Sequence, residues 1–236
     1  MAQLKVAVIG LGRIASTIDD EIDKYDGHEL PYAHIACHTA VPEVEIVGMS
    51  DTWEEQREAA RQRWGCDALY ADYRQMLEET RPDIVSVCTS AKPRGEVLAE
   101  IANGSYGVKA IWAEKALCAS LEDADAVVEA VERNGAVLNM HTQKRFDPGF
   151  ATAKDLIDSG ELGALKTMII YNNYALWDGS SHYFDVVKCL NDDSPVAWIQ
   201  GHLPGGSAGR GVLNAPARQV DGGVADVEQL DEVVRV

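Results

Sequence analysis

Residues 5–15 read Lys-Val-Ala-Val-Ile-Gly-Leu-Gly-Arg-Ile-Ala (KVAVIGLGRIA). The β-branched, apolar run Lys5–Ile9 stops at glycine, the pattern of a short strand buried on both faces. Gly10-Leu11-Gly12-Arg13-Ile14-Ala15 then satisfies G-x-G-x-x-[GA]. Such a turn needs its first glycine for a tight backbone, its second so that a pyrophosphate can approach, and a small third residue for close helix–strand packing. The helix that follows, running through Ile14 and Ile18, offers its first amides to the phosphates, so Gly10, Gly12, Arg13 and Ile14 are candidate dinucleotide contacts. The motif by itself is weak; a preceding strand and a following helix are the context that gives it meaning.

Outward from this turn, strand-like and helix-like stretches alternate. Asp19–Tyr32 is acidic, carries Gly27 and Pro31, and reads as an inserted loop. Glu43–Met49 is a second strand ending at Ser50 and Asp51. A helix with Ala59, Ala60 and Trp64 on one side stops at Gly65. Asp72 caps a short helix through Met76 and Leu77, and Asp83–Cys88 is the next buried strand. Val97, Leu98 and Ile101 share a helical face, and Val108–Ala113 is a strand. Ser120 with Asp123 opens a helix whose stripe is Ala124, Val127, Val128 and Val131, closed by Gly135; Ala136–Met140 is the strand after it. This alternation predicts an α/β fold, a parallel Rossmann-type sheet covered on both faces, over residues 1–141. The texture then changes. A helix over Phe150–Ile157, a strand over Leu165–Tyr174, a helix around Tyr183–Leu190 and a strand over Val196–His202 suggest a smaller α+β domain over 142–236. Residues 204–223 read as loop, and Gln229–Val236 as a last strand.

The whole-chain numbers narrow the functions available. The chain has 236 residues, 46% hydrophobic and 25% charged, an ordinary globular balance. Its formal net charge of −17 repels phosphate backbones and anionic lipid, so nucleic acid and membrane surfaces are not expected partners. No apolar run reaches the roughly 18 residues of a membrane span. The first ten residues run straight into a strand rather than a signal peptide, and five scattered cysteines without CxxC suit a reducing cytoplasm and no zinc site.

Two pairs and one carboxylate fit carbonyl/alcohol redox chemistry. Asp51 ends the second strand, where it can bind the adenosine ribose hydroxyls and repel a 2′-phosphate, favouring NAD over NADP; alternatively it caps the next helix. Glu114-Lys115 follows a strand at the carboxyl edge where open α/β sheets hold ligands. Asp178 and His182 are four residues apart and share a face if a helix begins there. Hydride transfer requires a proton donor or acceptor at the substrate oxygen, a task for lysine or histidine held by a carboxylate. On composition alone, a solvated Lys115 and a structural His182 are equally good readings.

These motifs together resemble the glucose–fructose oxidoreductase / inositol dehydrogenase / MocA-like (Gfo/Idh/MocA) family. The resemblance rests on Gly10–Ala15 after KVAVI, Asp51, Cys88-Thr89-Ser90, Ala113-Glu114-Lys115-Ala116, Gln143-Lys144-Arg145-Phe146, Ser159-Gly160-Glu161-Leu162-Gly163 and Asp178…His182…Asp185, in order over roughly residues 4–203. It implies an NAD(P)-dependent oxidoreductase of a sugar, cyclitol or related polyol. Within it, Lys115 orients substrate and cofactor, His182 is the acid/base and Asp178 assists it. Thr89, Ser90 and Glu114 join the cofactor site, and Lys144, Arg145 and Tyr174 meet substrate or its anion. A homo-oligomer is implied as well. There are departures. Ala116 replaces the family's usual proline, so a less rigidly presented lysine is expected. Lys92-Pro93-Arg94-Gly95 lacks a histidine common in the family, and the second domain is short and reads as truncated. A non-catalytic dinucleotide-binding regulator or scaffold is the alternative, and a remnant with an exposed sheet edge a third. His34 and His38 have helical i,i+4 spacing but no third ligand pattern, so no metal site is expected. Tyr171, Tyr174 and Trp177 could line a sugar site or simply pack.

Overall fold

The computed structural model describes residues 3–23, 30–172, 179–197, 200–202 and 233–235. The chain divides into two compact units, Met1–His141 and Thr142–Val236.

In the first unit six parallel strands form one sheet in the order β3-β2-β1-β4-β5-β6. They are β1 (Leu4–Ile9), β2 (Val44–Ser50), β3 (Leu69–Tyr70), β4 (Ile84–Val87), β5 (Ala110–Ala113) and β6 (Val137–Met140). This is the doubly wound Rossmann order, with its switch point between β1 and β4. Side chains alternate across the pleat, and β1 shows why the sheet is buried twice. Ala7 and Ile9 join a cluster with Met76, Leu77, Val97, Leu98, Ile101, Ile111 and Val131. Val6 and Val8 face the other way, with Leu11, Ala15, Ile35, Met49 and Ala60.

The helices between these strands are α1 (Arg13–Ser16), α2 (Asp19–Ile22), α3 (His34–Thr39), α4 (Glu54–Trp64), α5 (Tyr73–Thr80), α6 (Ala91–Ala102) and α7 (Leu121–Asn134). Several ends follow local chemistry. The Asp72 side chain accepts from Arg74 N and that of Ser120 from Asp123 N, each satisfying an amide that the first turn leaves open. Gly65 and Gly135 close α4 and α7 in the left-handed conformation.

Three expectations need adjusting. The helix after the glycine turn is short and breaks at Thr17, and α2 occupies the start of the expected loop. Asp19 meets the residues that lead into α3, its Oδ1 accepting from Tyr32 N at 3.0 Å and Ala33 N at 2.6 Å. On α7 the buried side is Val127, Ala130 and Val131, while Val128 is 40% exposed. The stripe is thus turned by about one residue, because α7 packs against α6 as well as the sheet.

The second unit contains a 3₁₀ turn (Gln143–Phe146), α8 (Pro148–Asp158), α9 (Ser180–Leu190) and an antiparallel pair, β7 (Gln200–His202) with β8 (Val233–Arg235). Residues 165–172, expected as strand, lie in neither sheet. Apolar, β-branched composition alone does not make a strand; a neighbour must take up its backbone N–H and C=O groups. Residues 173–178, including Tyr174, Trp177 and Asp178, and the expected loop at 204–223 lie outside the described residues. Among the described residues no helix is long and apolar enough to cross a membrane.

Candidate active site

The carboxyl edge of the first sheet assembles the cofactor candidates. Gly10 ends β1 with φ +86°, and a Cβ there would sit 3.0 Å from the backbone of Cys88 and Thr89 on the neighbouring β4 turn. Gly10 is therefore required by the protein's own packing. Gly12 is different: a Cβ would meet nothing within 4 Å. The space beside it is open among the described residues, as a pyrophosphate approaching the second glycine requires. The adjoining amides of Ala15 and Ser16 fold back on the Gly12 carbonyl.

Asp51 crosses from β2 to this turn. Its Oδ2 accepts from Leu11 N at 2.8 Å and its Oδ1 from Trp53 N at 2.9 Å. The residue capping α4 is Trp53, so Asp51 is not that helix's cap. The guanidinium of Arg57 donates to the Asp51 carbonyl at 2.7 Å. Arg13 pairs its guanidinium with Glu21, Nε to Oε1 at 2.6 Å and Nη2 to Oε2 at 2.7 Å. Across the switch point Ser90 is exposed. The Thr89 hydroxyl is buried and has no hydrogen-bond partner among the described residues.

Glu114 departs from its expected place. It extends β5, with its amide on Val87 O at 3.0 Å, and its carboxylate turns into the protein, 5% exposed. Oε1 accepts from His34 Nε2 at 3.1 Å and from His141 Nδ1 at 2.6 Å. His34 Nδ1 lies 3.2 Å from Ser86 Oγ, and His38 Nε2 lies 2.8 Å from the same oxygen. Strand register explains the gathering: Ser86 is level with Trp112, so Ser86, Trp112 and Glu114 share one face of the sheet, the face α3 covers. The rings pack as well, His34 lying 3.9 Å from Trp112 between centroids and His141 4.9 Å from it.

Burial would raise the Glu114 carboxyl, but the bonds from His141 and His34 and their charges outweigh it and hold it at about 2. Burial, opposed by the Glu114 bond, lowers His34; burial and the charge of His34 lower His38 to about 4. A neutral His34 that gives Nε2–H to the carboxylate has a lone pair on Nδ1 for the Ser86 hydroxyl, which in turn accepts from His38. The donor atoms of His34, Glu114 and His141 lie within 4.8 Å of one another, close enough for a metal to be considered. However, the 2.6 Å between His141 and Glu114 is a hydrogen-bond length, whereas ligands around one tetrahedral ion stand about 3.3 Å apart. The i,i+4 pair on α3 thus serves a serine and a carboxylate. Sequence reading missed Ser86, Trp112 and His141; the usable signal was the two histidines on one helical face.

Lys115 is half-buried and belongs to the first unit, and its peptide bond to Ala116 is cis. His182 lies in the first turn of α9, in the second unit. Helix α9 begins at Ser180 after Gly179, and Asp178, its expected partner, lies outside the described residues. Arg145, expected to meet substrate, is committed elsewhere. It donates to Asp185 at 2.7 and 2.8 Å and to Asp193 at 2.9 Å through two nitrogens, tying the 3₁₀ turn to α9 and its exit. A guanidinium carrying two carboxylates has little capacity left for an anion. The Lys144 ammonium lies 5.3 Å over the Tyr183 ring and 5.9 Å over that of Phe150.

With this geometry in hand, comparison with known proteins is decisive for the first unit. Residues 4–142 match the model of an oxidoreductase family with an NAD-binding Rossmann fold. The chain belongs to that family, the Gfo/Idh/MocA oxidoreductases. The chain is similar to scyllo-inositol 2-dehydrogenase (NAD(+)) of Bacillus subtilis, 30% identical over 162 residues, which is 68% of this chain and 42% of the relative. It is also similar to myo-inositol 2-dehydrogenase of Thermotoga maritima, 27% identical over 160 residues, again 68% of this chain and 42% of the relative. The chain thus spans less than half the length of these curated relatives. Among solved structures, an Agrobacterium radiobacter oxidoreductase in complex with NAD+, L-tartaric acid and magnesium superposes with TM-score 0.68 at 17% identity, covering 86% of this chain and 58% of that one. That likeness concerns the fold.

Proposed function

We propose that this chain is an NAD-dependent dehydrogenase acting on a CH–OH group of a cyclitol, sugar or related small polyol. The single observation that carries the reading is the pair Gly10 and Gly12. One glycine is demanded by the protein's own backbone; at the other, among the described residues, a Cβ would enter open space. The inositol dehydrogenases to which the chain is similar support the substrate class.

Gly10, Gly12 and the main chain of Arg13 and Ile14 would hold the pyrophosphate, Asp51 the adenosine ribose, and Thr89, Ser90 and Lys115 the nicotinamide end. Bound NAD supplies a hydride acceptor at the nicotinamide C4. Lys115 would orient the substrate hydroxyl, and His182, assisted by Asp178, would accept that hydroxyl's proton. Glu114 acts through its main chain, since its carboxylate is occupied by His34 and His141. Residues 142–236 would contribute the substrate wall and a homo-oligomer contact. The net charge of −17 disfavours nucleic acid and membrane partners, and five free thiols support a reducing, cytoplasmic setting.

The test is calorimetric titration of the chain with NADH and NADPH, followed by nicotinamide absorbance with myo-inositol and a panel of sugars. The expected result is saturable NADH binding, at least tenfold weaker NADPH binding, and a narrower gap in Asp51→Ser. His182→Ala should keep NADH binding and lose turnover, and Lys115→Ala should lose turnover with weaker NADH binding. A folded chain that binds neither cofactor overturns the proposal. Binding without turnover on any polyol or carbonyl would favour a dinucleotide-binding regulator.

A further inference from the structure

We propose that Arg94 is the positioning residue for Lys115, a buried guanidinium that grips the carbonyls on either side of it and fastens them to the turn after β4. Arg94 sits in the first turn of α6 and is only 3% exposed. Its Nη1 donates to Glu114 O at 2.7 Å and also to Ala116 O, and its Nη2 donates to Thr89 O. Its Nε is buried with no hydrogen-bond partner among the described residues. Three main-chain carbonyls from two separate segments therefore converge on one side chain, and the residue between two of them is Lys115.

Residue 114 is consequently held from both sides, its carboxylate by His34 and His141 and its carbonyl by Arg94. Lys115 is the next residue along a chain that cannot slide. The arrangement is an expensive way merely to attach α6 to the sheet. A charged group taken out of water and left with one unsatisfied donor costs stability, and an apolar side chain packed against β5 would not. What a guanidinium adds is a planar fork that fixes direction as well as distance. It also replaces the local rigidity that a ring at position 116 would have supplied, so Ala116 does not leave the lysine loosely held.

The inference rests on the proposed dehydrogenase reading only in assigning Lys115 a role in turnover, and the test separates the two. In the full chain, lysines are reductively methylated with ¹³C formaldehyde, and the Lys115 signal is assigned by its loss in Lys115→Arg. The dimethyl-Lys115 resonance should be resolved in the wild type. In Arg94→Ala it should collapse towards the exposed lysines, and millimolar guanidinium should restore it while methylammonium does not. With a polyol substrate, kcat should fall on the order of 10–100-fold, the usual consequence of a displaced catalytic group, with KM moved by less than threefold, and guanidinium should recover part of kcat. A pure packing role would lower the denaturation midpoint and leave the resonance and the kcat/KM split unchanged. If Arg94→Ala does not fold, Arg94→Lys keeps the stem and removes the fork, and should show the same loss without rescue. An unmoved Lys115 resonance in either folded variant overturns the proposal. A shifted, guanidinium-rescued resonance in a chain whose wild type turns over no polyol upholds the Arg94 placement and sinks the dehydrogenase reading instead.

Discussion

Replacing either glycine of the turn by alanine should have opposite consequences. At Gly10 the added methyl would lie 3.0 Å from Cys88 C and Thr89 N and 3.2 Å from Cys88 O, all main-chain atoms of the adjacent segment that cannot rotate away. The position also has φ +86°, which costs an L-residue about 1–2 kcal/mol. Relieving the contact by moving backbone costs about 1–3 kcal/mol more, so Gly10→Ala should lose about 2–5 kcal/mol. At Gly12 φ is −71° and nothing lies within 4 Å, so the same substitution should move stability by less than about 0.5 kcal/mol. The methyl would instead occupy that open space, and NADH affinity should fall at least tenfold. Urea denaturation followed by tryptophan fluorescence reads the first effect and NADH titration the second. A stable Gly10→Ala, or a Gly12→Ala that unfolds early yet binds NADH normally, would refute the division of labour between the two glycines.

The buried histidines predict acid sensitivity. A histidine whose folded value lies below its ordinary 6.5 lets the unfolded chain take up a proton that the folded one refuses, so stability is full above 6.5 and declines as pH falls. His38, lowered to about 4, should contribute about 3 kcal/mol of that loss between pH 6.5 and 4, and His38→Gln should flatten the decline of the urea midpoint over that window. Glu114 acts in the same direction further down, its stabilisation being present above 4.5 and lost as pH falls through about 2. In the second unit, Arg145→Met strands Asp185 and Asp193 and should cost about 1–3 kcal/mol, between the values for buried and exposed pairs. A denaturation midpoint unchanged in that variant would show that the double ion pair carries no stability and return Arg145 to the substrate candidates.

Much of the first unit was legible in the order of residues. The run Lys5–Ile9, the turn Gly10–Ala15, the caps Asp72 and Ser120 and the stops Gly65 and Gly135 are local signals, because propensity, capping and period depend on neighbours a few residues away. They determine which elements form, and the alternation then demands a parallel sheet; the face α7 buries was shifted by its packing on α6. What no local pattern contains is which residues meet across elements. Ser86, Glu114 and His141 come from three different strand ends. Only strand order and register bring them under α3, turning a histidine pair that looked like half a metal site into the support of a carboxylate. Arg94 looked like a departure from the family pattern until its three carbonyl partners were in place, and Arg145 like an anion receptor until Asp185 and Asp193 claimed it. The stretch 165–172 has the apolar, β-branched make-up of a strand, yet pairing is a property of two segments and no partner takes it up among the described residues. A sequence specifies what each segment can do alone; hydrogen bonds and charges between distant segments are settled only when the fold chooses their neighbours.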